Sequence, residues 1–188
     1  MKYNAPNLSI GHSISFVIPV FNEAKNLLRM LESLDSQALK KFKIEVMLID
    51  GKSSDDSLNI ISNFIKQSVN QGIDYKIIEN TERKTPYAFN LGIRHSKSSI
   101  VGFGGAHSIY PPDFFLNVIS LMEDLNIDVV GGGLKKYVPD KSGILNRAIS
   151  AFYVSPIGGG VASYHRKKEK GYVDTVFGGF YRKEIFDV

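Results

Sequence analysis

Two apolar strands, each running directly into a polar turn and then a helix, constrain this chain of 188 residues more than any other feature. The first is Ile14-Ser15-Phe16-Val17-Ile18-Pro19-Val20-Phe21-Asn22-Glu23, and the second is Ile44 to Ile49 followed by Asp50-Gly51-Lys52-Ser53-Ser54-Asp55-Asp56-Ser57. Runs that end in Asn, Asp, Gly and Ser and reopen on a helical period build βα units. An open, mostly parallel sheet of such units sets its ligand crevice outside the carboxyl ends of the strands. A nucleotide site at those loops is the leading expectation.

The pattern continues along the chain. Residues 22–34 predict a helix, with Asn22 as N-cap, Glu23 in the first turn and Leu27, Leu28, Met30, Leu31 and Leu34 on one face. Ile44 to Ile49 is apolar apart from Glu45, as expected of a strand covered on both sides. Ser54 or Asp55 caps a helix carrying Leu58, Ile60, Ile61, Phe64 and Ile65. A strand at Tyr75–Ile78, a polar stretch Glu79–Thr85, a helix Pro86–His95 and a strand Ser99–Phe103 follow. Gly104-Gly105-Ala106-His107 closes that strand, Pro111-Pro112 opens a helix through Met122, and Asp128-Val129-Val130-Gly131 begins another extended segment. From Lys135 the pattern loosens into Gly- and aromatic-rich pieces. No repeat or low-complexity linker intervenes, so a single α/β domain over residues 1–188 is expected.

Composition narrows the chemistry. The chain is 43% hydrophobic, enough for a sizeable core, and no window has the unbroken apolar length of a membrane span. Met1 to Ser13 lacks an apolar run and a small-residue cleavage site, which makes a cytoplasmic location the default expectation. The absence of cysteine excludes disulfides, thiolate metal sites and cysteine nucleophiles. A net charge of +4 suits an ordinary solvated exterior, or else phosphate groups or an anionic membrane surface. His12, His95, His107 and His165 share no paired metal-ligand spacing, and neither a Walker loop nor a dinucleotide fingerprint is present. The run His165-Arg166-Lys167-Lys168-Glu169-Lys170 reads as an exposed loop or as a peripheral contact with anionic lipid or a lipid-linked acceptor. No nucleic-acid partner is expected.

Pro19-Val20-Phe21-Asn22-Glu23, Asp50-Gly51-Lys52-Ser53-Ser54-Asp55 and Asn90-Leu91-Gly92-Ile93-Arg94, in that order, resemble the inverting family 2 glycosyltransferases. The second of these looks like that family's Asp-Gly-Gly-Ser-Thr-Asp loop. Gly131-Gly132-Gly133, Ser155 to Gly160 and Tyr172 to Arg182 look like the branch that includes succinoglycan-type exopolysaccharide enzymes. The resemblance implies a GT-A fold, with a mostly parallel central sheet and helices on both faces. It also implies a nucleoside-diphosphate sugar donor of the UDP or GDP type and a saccharide or lipid-linked acceptor, at the inner face of the cell membrane. Asp50 and Asp55 would read the nucleoside, Pro19 and Phe21 would shape the base pocket, and Asn22 and Glu23 would lie at its edge. Asn22 and Glu23 have an alternative reading as helix cap and first-turn acid. Arg83 and Lys84 would face the diphosphate, or else belong to a solvated loop. Asn90 and Gly92 would bring a helix close to the nucleotide, or Gly92 marks helix packing alone.

The chain departs from the family at two points. Where an Asp-x-Asp or Asp-x-His motif would hold Mg²⁺ or Mn²⁺, it reads Gly105-Ala106-His107, leaving His107 as the one metal candidate, or as a direct donor to phosphate. The catalytic base of the family lies beyond Phe186-Asp187-Val188, so the chain is expected to be truncated on that side. Asp174 is the weak substitute present, with a structural loop acid as its other reading. Arg182 either faces phosphate or closes the fold. The alternative to an active transferase is a catalytically silent nucleotide-sugar-binding module or a structural domain of the same fold.

Overall fold

The computed structural model describes residues 13–37, 42–69, 72–132, 143–145, 148, 152, 171 and 176–187. Its elements run β1 (Ser13–Val20), α1 (Ala24–Asp35), β2 (Lys43–Asp50), α2 (Ser57–Gln67), β3 (Ile73–Glu79), α3 (Thr85–His95), β4 (Ile100–Phe103), α4 (Phe114–Asp124), β5 (Val129–Gly132) and β6 (Phe177–Arg182), then a 3-10 turn, Lys183–Phe186. The strands make one sheet in the order β3-β2-β1-β4-β6-β5. β1 is parallel to β2 and β4, β2 is parallel to β3, and β6 runs antiparallel to β4. By contact density the chain forms two compact units, Met1–Val130 with Phe180–Val188, and Gly131–Gly179. In the second, the side chains of Ile144, Leu145 and Phe152 are exposed.

Side chains alternate across a strand, and both faces of β1 and β2 are covered, which is why their sequences read as nearly continuous apolar runs. Ile14, Phe16, Ile18 and Val20 join Leu27, Met30, Leu31 and Leu34 of α1, Ile61 of α2 and Phe115 and Ile119 of α4 in the larger core. Val17, Met47, Ile49 and Val101 turn the other way, onto Ala88 of α3. Phe16 anchors the larger core, with edge contacts to Tyr110 and Phe115 at 5.2 Å and a stack on Phe180 at 5.4 Å. Burial of such side chains stabilises the fold by roughly 1.5–3 kcal/mol each.

The one carboxylate in the second apolar run, Glu45, is partnered by the Ser15 hydroxyl and the Lys76 ammonium. Burial works to raise its pKa, yet these two partners hold it below the ordinary value. Two glycines are fixed by packing: a Cβ on Gly92 would come within 2.4 Å of Val17, and one on Gly102 within 2.2 Å of Phe180. Gly92 therefore seats α3 on β1, and its role is helix packing.

Three of the four α-helices start later than the sequence predicts, α3 alone matching its expected start to within one residue. α1 begins at Ala24, because Asn22 takes a left-handed conformation (φ 54°) and its side chain serves the neighbouring loop instead of capping. α2 begins at Ser57 and α4 at Phe114, beyond Pro111-Pro112. β6 was not anticipated as a strand. Its Gly-Gly-aromatic sequence has weak strand character, and the shape of Gly102 against Phe180 secures the pairing.

Candidate functional site

From β1 the chain steps outward through β2 to β3, then returns to place β4 on the opposite side of β1. The loops that leave β1 and β4 consequently diverge, and a crevice opens at this switch point. Pro19, Phe21 and Glu23 line it from the β1 side, Gly51 from β2, Asn80, Arg83, Lys84 and Thr85 from the β3–α3 segment, and Gly104 to His107 from β4. Its volume is about 210 Å³.

The β1–α1 and β2–α2 loops are clasped together. The Asn22 amide oxygen accepts the backbone N–H groups of Ser54 and Asp55, at 2.8 and 3.3 Å. In return the Asn22 N–H donates to Ser53 Oγ at 3.0 Å, and the Glu23 N–H to Ser57 Oγ at 2.9 Å. Asp55 Oδ2 accepts from the Ala24 N–H, and Oδ1 from the Ser57 N–H, both at 3.0 Å. One carboxylate thus serves the first N–H groups of both α1 and α2. The Ser57 hydroxyl beside it, with those N–H groups, holds its pKa below the ordinary range. Asp50, 3% exposed, is turned inward and accepts the Ser53 N–H and hydroxyl, while its own carbonyl accepts the Asn80 N–H. Gly51 ties the two strand ends together through its backbone, its N–H donating to the Val20 carbonyl at 2.8 Å.

On the opposite wall the β3–α3 loop is organised by Asn80, which is 2% exposed. Its side-chain N–H₂ donates to the Lys84 carbonyl at 3.0 Å, its side-chain oxygen accepts the Glu82 N–H, and its carbonyl accepts the Arg83 N–H. Arg83 is held at φ 59°, a conformation uncommon for a side chain of its size. Lys84 is the N-cap of α3, whose first turn has no side-chain cap.

The end of β4 is held by Tyr110. Its hydroxyl donates to the Gly105 carbonyl at 3.1 Å and accepts the Gly105 N–H at 3.0 Å. Burial pushes the phenol pKa up to about 12, against the opposing effect of the Gly105 N–H. His107 Nδ1 lies 3.3 Å from Glu23 Oε1, across the mouth of the crevice. A Cβ on Gly105 would press on Ser108 Oγ at 3.2 Å, closer than an ordinary contact, and would meet nothing else nearer than 3.9 Å.

These donors do not suit the divalent cation that the resemblance implies. Gly105 offers no side chain, His107 supplies one imidazole directed at Glu23, and no group of three His, Asp or Glu stands together among the described residues. Mg²⁺ demands a near-octahedral oxygen shell in which one or two carboxylates are completed by phosphate oxygens and water, whereas here residue 105 supplies no carboxylate and that of Glu23 is engaged with His107.

Of the residues expected at the site, the structure gathers Pro19, Phe21, Glu23, Arg83, Lys84 and His107 around the crevice. Asn22 and Asp55 are engaged in the loop clasp, Asp50 in its own turn, and Asn90 is exposed on α3, with none of the four lining the crevice. Arg182 is paired with Asp128 at 3.1 Å. Asp174 and the run 165–170 lie outside the described residues. Sequence reasoning missed Asn80 and Tyr110. Asn80 had one available signal, a lone amide ending an apolar strand, whereas Tyr110 had none.

Solved structures share this architecture. Staphylococcus aureus TarS, in a complex with UDP-GlcNAc, superposes with a TM-score of 0.62 at 17% identity, over 93% of this chain and 46% of that one. The Pyrobaculum calidifontis mannosyltransferase PcManGT, in complex with GDP-Man and Mn²⁺, gives 0.59 at 21% identity, over 70% and 38%. These likenesses show the GT-A fold. In sequence, the chain is 34% identical over 173 residues to the dolichyl N-acetyl-alpha-D-glucosaminyl phosphate 3-beta-D-2,3-diacetamido-2,3-dideoxy-beta-D-glucuronosyltransferase of Methanococcus voltae, covering 89% of this chain and 52% of that protein. The chain spans about half the length of the curated relatives it matches. Residues 15–188 match the family model for glycosyl transferase family 2, and the chain belongs to that family.

Proposed function

We propose that this chain carries the donor site of an inverting glycosyltransferase that uses a nucleoside-diphosphate sugar in surface-polysaccharide or glycan synthesis. The observation that carries this reading is the crevice at the β1/β4 switch point, with an apolar side at Pro19 and Phe21 and a basic side at Arg83 and Lys84. A base and ribose suit the first, and a diphosphate the second. The crevice volume of about 210 Å³ is below the ~300–1,000 Å³ of pockets that enclose a whole small ligand, so it suits the nucleotide portion. The nucleotide sugars bound by TarS and PcManGT support the same assignment.

In the reaction, the acceptor hydroxyl forms a bond to the anomeric carbon while the bond to the diphosphate breaks. The nucleoside diphosphate leaves, the configuration inverts, and a base takes the hydroxyl proton. A lipid-linked saccharide acceptor is supported by the dolichyl phosphate in the name of the Methanococcus voltae relative. Among the described residues no helix is long and apolar enough to cross a membrane. A second reading, a module that binds nucleotide sugar without turnover, is favoured by Gly105 and by Glu23, the one carboxylate among the described crevice residues, being partnered by His107.

The test is calorimetric titration of the chain with UDP and GDP, followed by an assay for release of nucleoside diphosphate from UDP- and GDP-sugars. Saturable binding with release supports the transferase, and binding without release supports the silent module. No binding of either nucleotide would refute both.

A further inference from the structure

We propose that the diphosphate of a bound sugar nucleotide is neutralised here by the chain itself in place of a divalent cation, with Arg83, Lys84 and the uncapped α3 N-terminus on one wall and His107 on the other. This rests on the crevice being a nucleotide site and deepens that reading.

Four observations converge. The β4 end supplies no carboxylate at residue 105, although its backbone would accept one: Gly105 is outside the left-handed region, and a Cβ there would crowd one atom alone, Ser108 Oγ at the end of a side chain. Asp55 already serves the N-termini of α1 and α2, whereas α3 has no side-chain cap and opens on the crevice at Thr85. Of the three, that of α3 is the helix end left to meet an anion. Next, Lys52, Lys76 and Arg182 are paired with carboxylates, while Arg83 and Lys84 have no ion-pair partner among the described residues. Finally, Asn80 is buried and fixes the loop that carries both cations, bonding to the carbonyl of Lys84 and receiving the N–H of Arg83. A left-handed Arg is strained, and such a conformation persists where surroundings enforce it. Across the crevice His107 adds a second ring nitrogen beyond the Nδ1 that faces Glu23. A rigid guanidinium and an ammonium around one anion can supply the charge that a metal supplies elsewhere, with the imidazole as a further polar contact.

The experiment is calorimetric titration of the full chain with UDP and GDP, first in EDTA and then in Mn²⁺ or Mg²⁺. The nucleotide that binds should do so in EDTA with a dissociation constant within about threefold of its value in metal. Arg83→Asn keeps a residue that tolerates the left-handed backbone but removes the charge, and it should weaken EDTA binding about tenfold, as should Lys84→Gln. Gly105→Asp should weaken binding in EDTA and regain it in Mn²⁺. Thermal melts of each variant separate lost charge from lost fold. Binding that requires metal, or EDTA binding that both charge-removing variants leave unchanged, overturns the inference while the nucleotide reading stands. Absence of binding in every buffer overturns both.

Discussion

Lys52 occupies a left-handed conformation (φ 60°) at the position where the resembling family's loop has its second glycine. Its ammonium reaches Glu79 at 3.4 Å, but both side chains are largely solvated, and such pairs contribute about 0.2–1 kcal/mol. The left-handed conformation costs roughly 1–2 kcal/mol for an L side chain, and glycine's extra chain entropy returns about 0.5–1 of that. Lys52→Gly should therefore raise stability by about 0.5 kcal/mol in urea denaturation. A loss above ~1 kcal/mol would show that the ion pair outweighs the backbone. Tyr110 gives the opposite case. Tyr110→Phe leaves the Gly105 N–H and carbonyl without their buried partner and should cost about 1–3 kcal/mol by the same measurement. A phenol whose pKa lies near 12 stays protonated at ordinary pH, so the penalty should be constant from neutral to mildly alkaline solution.

At the scale of elements, the approach of α3 to β1 depends on Gly92. Gly92→Ala should destabilise by about 1–3 kcal/mol through contact with Val17, and Val17→Ala in the same chain should recover part of that loss. Thermal melts of the four variants of the cycle would measure the coupling. The clasp between the β1–α1 and β2–α2 loops has a pH signature instead. The Asp55 pKa is depressed by the Ser57 hydroxyl and by helix N–H groups, so its stabilising effect is complete above the ordinary value of 3.8 and is lost as pH falls through the lower folded value. Melting temperatures of the parent and Asp55→Asn should differ at neutral pH and converge in that acid range. Local periodicity made the helices and parallel strands readable. It did not reveal β6, whose Phe177-Gly178-Gly179-Phe180 lacks an alternating pattern and pairs because Gly102 leaves space for Phe180.

For the molecule as a whole, a ligand that binds only the folded state stabilises it by about 2.7 kcal/mol at a hundredfold excess over its dissociation constant. With ~2–4 °C per kcal/mol for a chain of this size, saturating UDP or GDP should raise the melting temperature by about 5–10 °C. The proposed metal independence predicts that EDTA leaves most of this shift in place. The family assignment and the GT-A fold belong to this scale, since both extend over nearly the whole chain. The βα alternation, the strands covered on both faces and the loops that bear the crevice are legible in the chain's own residue order, because they follow from local periodicity and turn chemistry. Which polar residues face the crevice depends instead on long-range packing. Asn22, Asp50 and Asp55 are as suited to a ligand as to a loop, and their partners are set by where a distant loop comes to rest. Once those hydrogen bonds form, the loop clasp and the Asp50 turn hold the three, and Arg83, Lys84 and His107 are left at the opening.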